Sequence, residues 1–135
     1  MTAQQDDDLP TIDFVSPMPG FAEHRRFVLV RLDDDGLLYA LASVHDPELR
    51  FLVVPPPPFF PDYAPEITED DLASLGTSDV TQILLLLVIT TAESAADSTA
   101  NLMAPILVDQ STRRALQVVL SGSGLPVRAE LMAHA

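Results

Sequence analysis

Twenty carboxylates and three histidines are the side chains of this 135-residue chain that could do acid–base or metal chemistry. Paired carboxylates hydrolyse glycosides when two of them flank one bond, but no spacing here singles out two of the twenty. His24, His45 and His134 lie in two turns and at the C-terminal end, and none has a partner at the i, i+4 spacing of a helical zinc site. Gly122-Ser123-Gly124 lacks the strand–Gly-x-Ser-x-Gly–helix setting of a nucleophile elbow. Asp33-Asp34-Asp35-Gly36 lacks the alternate ligand spacing and distal glutamate of a calcium loop. There is no cysteine, phosphate loop or dinucleotide fingerprint. The residues therefore point to no catalytic, cofactor or metal site. A small hydrolase survives only as a residual reading.

Charge is more informative. Twenty acids stand against seven arginines and no lysine, a net −13. Such a surface repels phosphate backbones and anionic headgroups, so direct nucleic-acid and membrane binding are not expected, and a basic partner is. The charge is also uneven. Residues 61–80 hold six acids, Asp62, Glu66, Glu69, Asp70, Asp71 and Asp79, and no base. The N-terminus carries no basic or long apolar stretch, so no signal peptide is read and a cytoplasmic protein is expected. The longest apolar run, Ile83 to Ile89, is far shorter than the ~18 residues of a membrane helix.

The elements that would position these groups are short. Residues 1–10 read as a disordered acidic tail, and 11–130 as one domain. Strands are expected over Thr11–Val15, Phe27–Leu32, Leu37–Val44, Arg50–Val54, Val80–Thr91, Leu102–Val108 and Ala115–Leu120. The last has Leu116, Val118 and Leu120 on one face, and Pro105 marks an edge or bulge in the one before it. Asp35-Gly36 suggests a tight type I′ hairpin. Pro55 to Pro58 should end strand pairing and run on as an extended spacer delivering Phe59 and Phe60 to the fold. One helix is expected near 68–75. Thr68 is its N-cap, Glu69, Asp70 and Asp71 fill its first turn, Ile67 and Leu72 staple it, and Gly76 ends it. The fold class is mainly β: a small antiparallel, barrel-like domain with one or two short helices.

Four stretches, in order, carry a resemblance. They are Pro17-Met18-Pro19-Gly20-Phe21 with Arg26-Phe27-Val28-Leu29, then Asp46-Pro47-Glu48-Leu49-Arg50-Phe51-Leu52-Val53-Val54 with Pro58-Phe59-Phe60-Pro61-Asp62-Tyr63, then Thr99-Ala100-Asn101-Leu102-Met103-Ala104-Pro105-Ile106, and last Arg114-Ala115-Leu116-Gln117-Val118-Val119-Leu120 with Pro126-Val127-Arg128. Together they resemble the flagellar assembly factor FliW family. Pro17 stands where that family tends to have glycine, and the four-proline run is unusual for it. The resemblance implies a non-enzymatic regulator that binds flagellin, in the manner of a chaperone, and sequesters CsrA, an RNA-binding translational repressor, so that flagellin translation resumes. The alternative within this reading is an interaction module that has kept the fold and lost one partner. A monomer is expected.

Candidate partner residues follow from side-chain chemistry. Phe59, Phe60 and Tyr63 are large aromatics in an irregular stretch, suited to anchoring a partner. Asp62, Glu66, Glu69, Asp70 and Asp71 would form the negative rim. Asn101 is read first as structural, its amide satisfying backbone groups that the chain beside Pro105 leaves unpaired.

Overall fold

The structure is a computed structural model that describes residues 11–130 apart from 17, 19, 20, 22, 35, 36, 47, 58, 91–97 and 121. The proposed tail at residues 1–10 lies outside the described residues.

Among the described residues, nine strands form one sheet: β1 (Thr11–Phe14), β2 (Arg26–Arg31), β3 (Tyr39–Ser43), β4 (Arg50–Val54), β5 (Ile83–Thr90), β6 (Thr99–Ala100), β7 (Ile106–Asp109), β8 (Arg114–Gln117) and β9 (Ala129–Glu130). The order β4-β3-β2-β1-β8-β7-β5 closes on itself because β4 also pairs with β5. Seven strands thus make a closed barrel, and β6 and β9 extend from β5 beyond it. Closure removes most free edges. One pair departs from the expected antiparallel pattern. The β1–β8 pair is parallel, with Asp13 opposite Arg114 and Phe14 opposite Ala115. The closing strands come from the two ends of the barrel sequence, so no hairpin dictates their direction.

The barrel interior holds Ile12, Phe14, Phe27, Leu41, Val53, Leu86, Ile106, Val108 and Ala115, capped by Met18. Phe14 meets Phe27 edge-on at 5.4 Å between ring centres, and Phe51 lies 6.1 Å from Phe27. A second apolar cluster of Val54, Phe60, Leu87, Ile89, Ala100 and Leu102 covers part of the outside. Neighbouring Leu86 and Leu87 therefore belong to opposite cores, and burying each contributes roughly 1.5–3 kcal/mol. This two-sided burial is why β5 reads as a continuous apolar run rather than an alternating one.

Several local expectations are corrected. The β2–β3 connection is not a two-residue turn. Leu32 N–H donates to Leu38 O at 2.9 Å, and the Asp33 carboxylate accepts the N–H groups of Leu37 and Leu38. The wider loop is closed by a side chain acting on its own backbone. Asp35 and Gly36 themselves lie outside the described residues. The Ala115–Leu120 strand is instead Arg114–Gln117, and Ala115 rather than Leu116 faces the interior. The proline run does not stay extended, since Pro56 O accepts from Phe59 N–H at 2.9 Å and Phe60 N–H at 2.7 Å.

The helix α1 (Glu69–Leu75) follows its sequence signals. Thr68 Oγ1 accepts Asp71 N–H and Asp71 Oδ2 accepts Thr68 N–H, each at 3.1 Å, a reciprocal capping box. At the other end Thr77 N–H donates to Leu72 O and Gly76 N–H to Ala73 O, with Gly76 at φ +79°. Helix α1 packs on β8. A Cβ added at Gly76 would sit 3.0 Å from an Arg114 guanidinium nitrogen, so Arg114 places positive charge at the helix C-terminus, where no residue of the helix does. In the β7–β8 hairpin, Arg113 adopts φ +62°, a conformation unfavourable for a residue with a Cβ.

These two left-handed positions predict opposite outcomes. Gly76→Ala should lower unfolding free energy by about 1–2 kcal/mol, and Arg113→Gly should leave it unchanged or raise it by up to about 1 kcal/mol. Urea denaturation of the two variants checks both. A neutral Gly76→Ala would contradict the account of the helix end.

Candidate functional site: an aromatic ridge between two apolar grooves

The turn at Pro56 sets the course of the next residues. Phe60 is buried at 9% exposure in the outer core, Phe59 is half-buried against it, and Tyr63 N–H donates to Phe60 O at 3.0 Å. Tyr63 alone of the three carries a polar end, and its hydroxyl donates to Leu102 O at 2.6 Å. Burial raises the Tyr63 phenol from an ordinary 10.0 to about 12.

Leu102 is available for that bond because the chain leaves the sheet there. β6 sets Ala100 opposite Ile89, and β7 sets Ile106 opposite Leu86. Five residues, 101–105, therefore stand where β5 offers two, 87 and 88. The expected strand Leu102–Val108 is corrected to a two-residue β6, an outward excursion, and β7. Proline at 105 has no N–H for the ladder. Asn101 holds the excursion. Its Oδ1 accepts Met103 N–H at 3.0 Å and Ala104 N–H at 3.1 Å, while its own N–H donates to Val88 O at 3.0 Å. The far side is tied by Leu102 N–H to Pro126 O, Leu120 N–H to Met103 O, and the Gln117 amide to Ala104 O.

Tyr63 stands between two shallow grooves. One, of about 320 Å³, is lined by Phe60, Pro61, Asp62, Tyr63, Leu102 and Leu125. The other, of about 280 Å³, runs between Pro55–Pro57 and Ile83–Leu85. The structure thus joins Phe60, Asp62 and Tyr63 to the Asn101–Leu102 excursion. Asp62, Glu66, Glu69 and Asp70 are exposed, whereas the Asp71 carboxylate is engaged in the helix cap. Glu69 lines a separate groove with Leu72, Ala73, Thr77 and Ser78. Sequence reading missed Leu102, Leu125 and the Ile83–Leu85 edge. The break of β4 at the prolines was the available signal for the last of these.

No group of three or more metal-binding side chains is found among the described residues. One fully buried carboxylate, Asp109, lies in the β7–β8 hairpin. Burial opposes its charge, but hydrogen bonds from Ser111, and less strongly Thr112, outweigh this and hold it below the ordinary carboxylate value. Ser111 N–H and Oγ–H reach Asp109 Oδ1 at 2.9 and 2.7 Å, which makes the residue a turn-former. Among the described residues no helix is long and apolar enough to cross a membrane.

The arrangement is a small closed β-barrel that carries an apolar, acid-rimmed surface. The family model described as FliW protein matches residues 1–131, and the chain belongs to the FliW family. A flagellar assembly factor FliW of Symbiobacterium thermophilum is 35% identical over 120 residues, which cover 88% of this chain and 87% of that protein. One of Bacillus subtilis is 38% identical over 110 residues, covering 82% of this chain and 77% of that one. A crystal structure of the flagellar assembly factor FliW superposes with a TM-score of 0.83 at 30% identity, over 90% of this chain and 85% of that chain.

Asn101→Ala leaves two backbone donors without their acceptor and should cost about 1–3 kcal/mol, whereas Asn101→Asp keeps an acceptor oxygen and should cost less. Denaturant midpoints of the two variants separate these outcomes, and an undiminished midpoint for alanine would mean that the amide does not hold the excursion. Tyr63 gives a pH signature. Folding favours the neutral phenol, so its contribution is fully present below pH 10 and is lost as pH rises through about 12. Alkaline unfolding curves of Tyr63→Phe should lack this component.

Proposed function

We propose that this chain is a non-enzymatic, cytoplasmic regulator of flagellar assembly that binds flagellin and, when freed from it, sequesters CsrA and so relieves repression of flagellin translation. Membership of the FliW family supports the setting. The observation that carries the partner chemistry is the Tyr63 ridge: a polar-tethered aromatic between two apolar grooves, beside exposed Asp62 and within a stretch, 61–80, that holds six acids and no base. The partner face is assigned to Phe59–Asp71 together with the Asn101 excursion. Tyr63 supplies desolvated contact area there, and Asp62, Glu66, Glu69 and Asp70 supply the field. Phe59 and Phe60 support the ridge from the core side, and Asp71 holds the helix start. An anionic protein seated on an RNA-binding protein repels RNA without filling its groove.

Steering by exposed charge is screened within roughly 8 Å at physiological salt. The on-rate for CsrA should therefore fall as salt rises, while the off-rate moves less. Asp62→Arg should slow association and Tyr63→Ala should speed dissociation, with both variants folded by circular dichroism. Surface-binding kinetics at low and high salt, with an RNA mobility-shift control on this protein alone, provide the measurement. A salt-independent on-rate, a shifted RNA band or full binding by both variants would refute the assignment.

A further inference from the structure

Two hydrogen bonds fix how β5 points its backbone. Gln110 N–H donates to Gln82 O and Asn101 N–H donates to Val88 O, both on the edge shared by β7 and β6. Backbone groups alternate along a strand, so even-numbered residues of β5 face that edge and odd-numbered residues face β4. Leu87 and Ile89 are opposite Val54 and Leu52 of β4. The same register would set Pro56 opposite Leu85, but β4 ends at Val54. Proline has no N–H to give, and Pro56 O is turned to Phe59 and Phe60. Ile83 N–H closes the preceding 3₁₀ turn on Val80 O. Ile83 C=O and both backbone groups of Leu85 are left facing the prolines, and among the described residues none pairs with them.

This edge is where the groove of about 280 Å³ lies, with Pro55–Pro57 as one wall, Ile83–Leu85 as the other and Tyr63 at its end. The prolines keep β4 from completing the ladder without filling the space beside β5. We infer that the Ile83–Leu85 edge is a slot that accepts an extended segment of a partner protein as an added strand, with apolar side chains in the groove and basic residues flanking them. Unpaired strand edges are bound this way, main-chain bonds giving affinity and alternate side chains giving selectivity. Basic flanks follow from charge complementarity. Exposed Asp62 adjoins Tyr63, exposed Asp79 caps the turn that enters β5, and no base lies between residues 61 and 80. The inference rests on the partner-binding reading above and specifies how one partner would be held.

The test follows the Leu85 amide by hydrogen exchange in isotope-labelled protein, using a synthetic peptide of alternating valine and threonine with arginine at both ends. Adding the peptide should slow Leu85 exchange at least tenfold. Methylating the peptide's backbone nitrogens in one alternate set should weaken binding at least tenfold, and in the other set should leave it unchanged. Saturating peptide with no protection of Leu85 would overturn the slot, as would equal effects of the two methylated sets. Protection that grows with protein concentration in the absence of peptide, together with dimer formation in sedimentation, would also overturn it by showing a second copy as the occupant. Capture of flagellin and of CsrA is measured in parallel. If both bind without protecting Leu85, the slot fails and the regulator stands. If neither binds while the peptide protects Leu85, the regulator reading fails and the slot stands.

Discussion

The eight residues of β5 serve β4 along one edge and β7 and then β6 along the other. A strand can bond fully to one neighbour on each edge, so three partners require one edge to be divided. On one side the division is made by an outward excursion of five residues at Asn101–Pro105. The other edge is paired only in part, because β4 ends at Val54 and prolines follow. At the excursion, backbone groups released from the ladder need partners. Asn101 supplies an acceptor for two of them, and Tyr63 supplies a donor for a third.

The same division connects stability to surface chemistry. The excursion turns Leu102 toward Tyr63, and the bond between them holds the aromatic ring against the outer core and between two grooves. The proline turn delivers Phe59 and Phe60 to that core and at the same time clears space beside β5. The grooved surface is thus made by two breaks in one sheet, linked by the bond from the Tyr63 hydroxyl to Leu102 O.

Charge is arranged with comparable economy. Glu69, Asp70 and Asp71 sit where a helix dipole favours acids, and Arg114 of β8 compensates the opposite end. The Asp13–Arg26 pair, at 2.9 Å, is exposed on both sides and adds little to stability. The remaining exposed acids between 61 and 80 have no nearby sequence partner, which leaves their field free to act on another molecule.

Signals carried by a few adjacent residues were legible without the fold. Thr68, Asp71 and Gly76 define α1 through contacts no more than five residues apart, and the apolar run at 83–89 announces a strand buried on both faces. Four ordered stretches were enough to suggest the family. The role of Asn101 was also readable, since it acts on amides two and three residues ahead. The rest required tertiary structure. The parallel β1–β8 pair joins segments a hundred residues apart, and local propensity carries no information on their direction. The burial of Phe60 against the exposure of Asp62 depends on Leu102 and Leu125 arriving from far along the chain. The open edge at Leu85 exists only because β4, β5 and β7 meet in a particular register, and hydrogen-bond register between distant strands is decided by packing of the whole barrel rather than by any one segment.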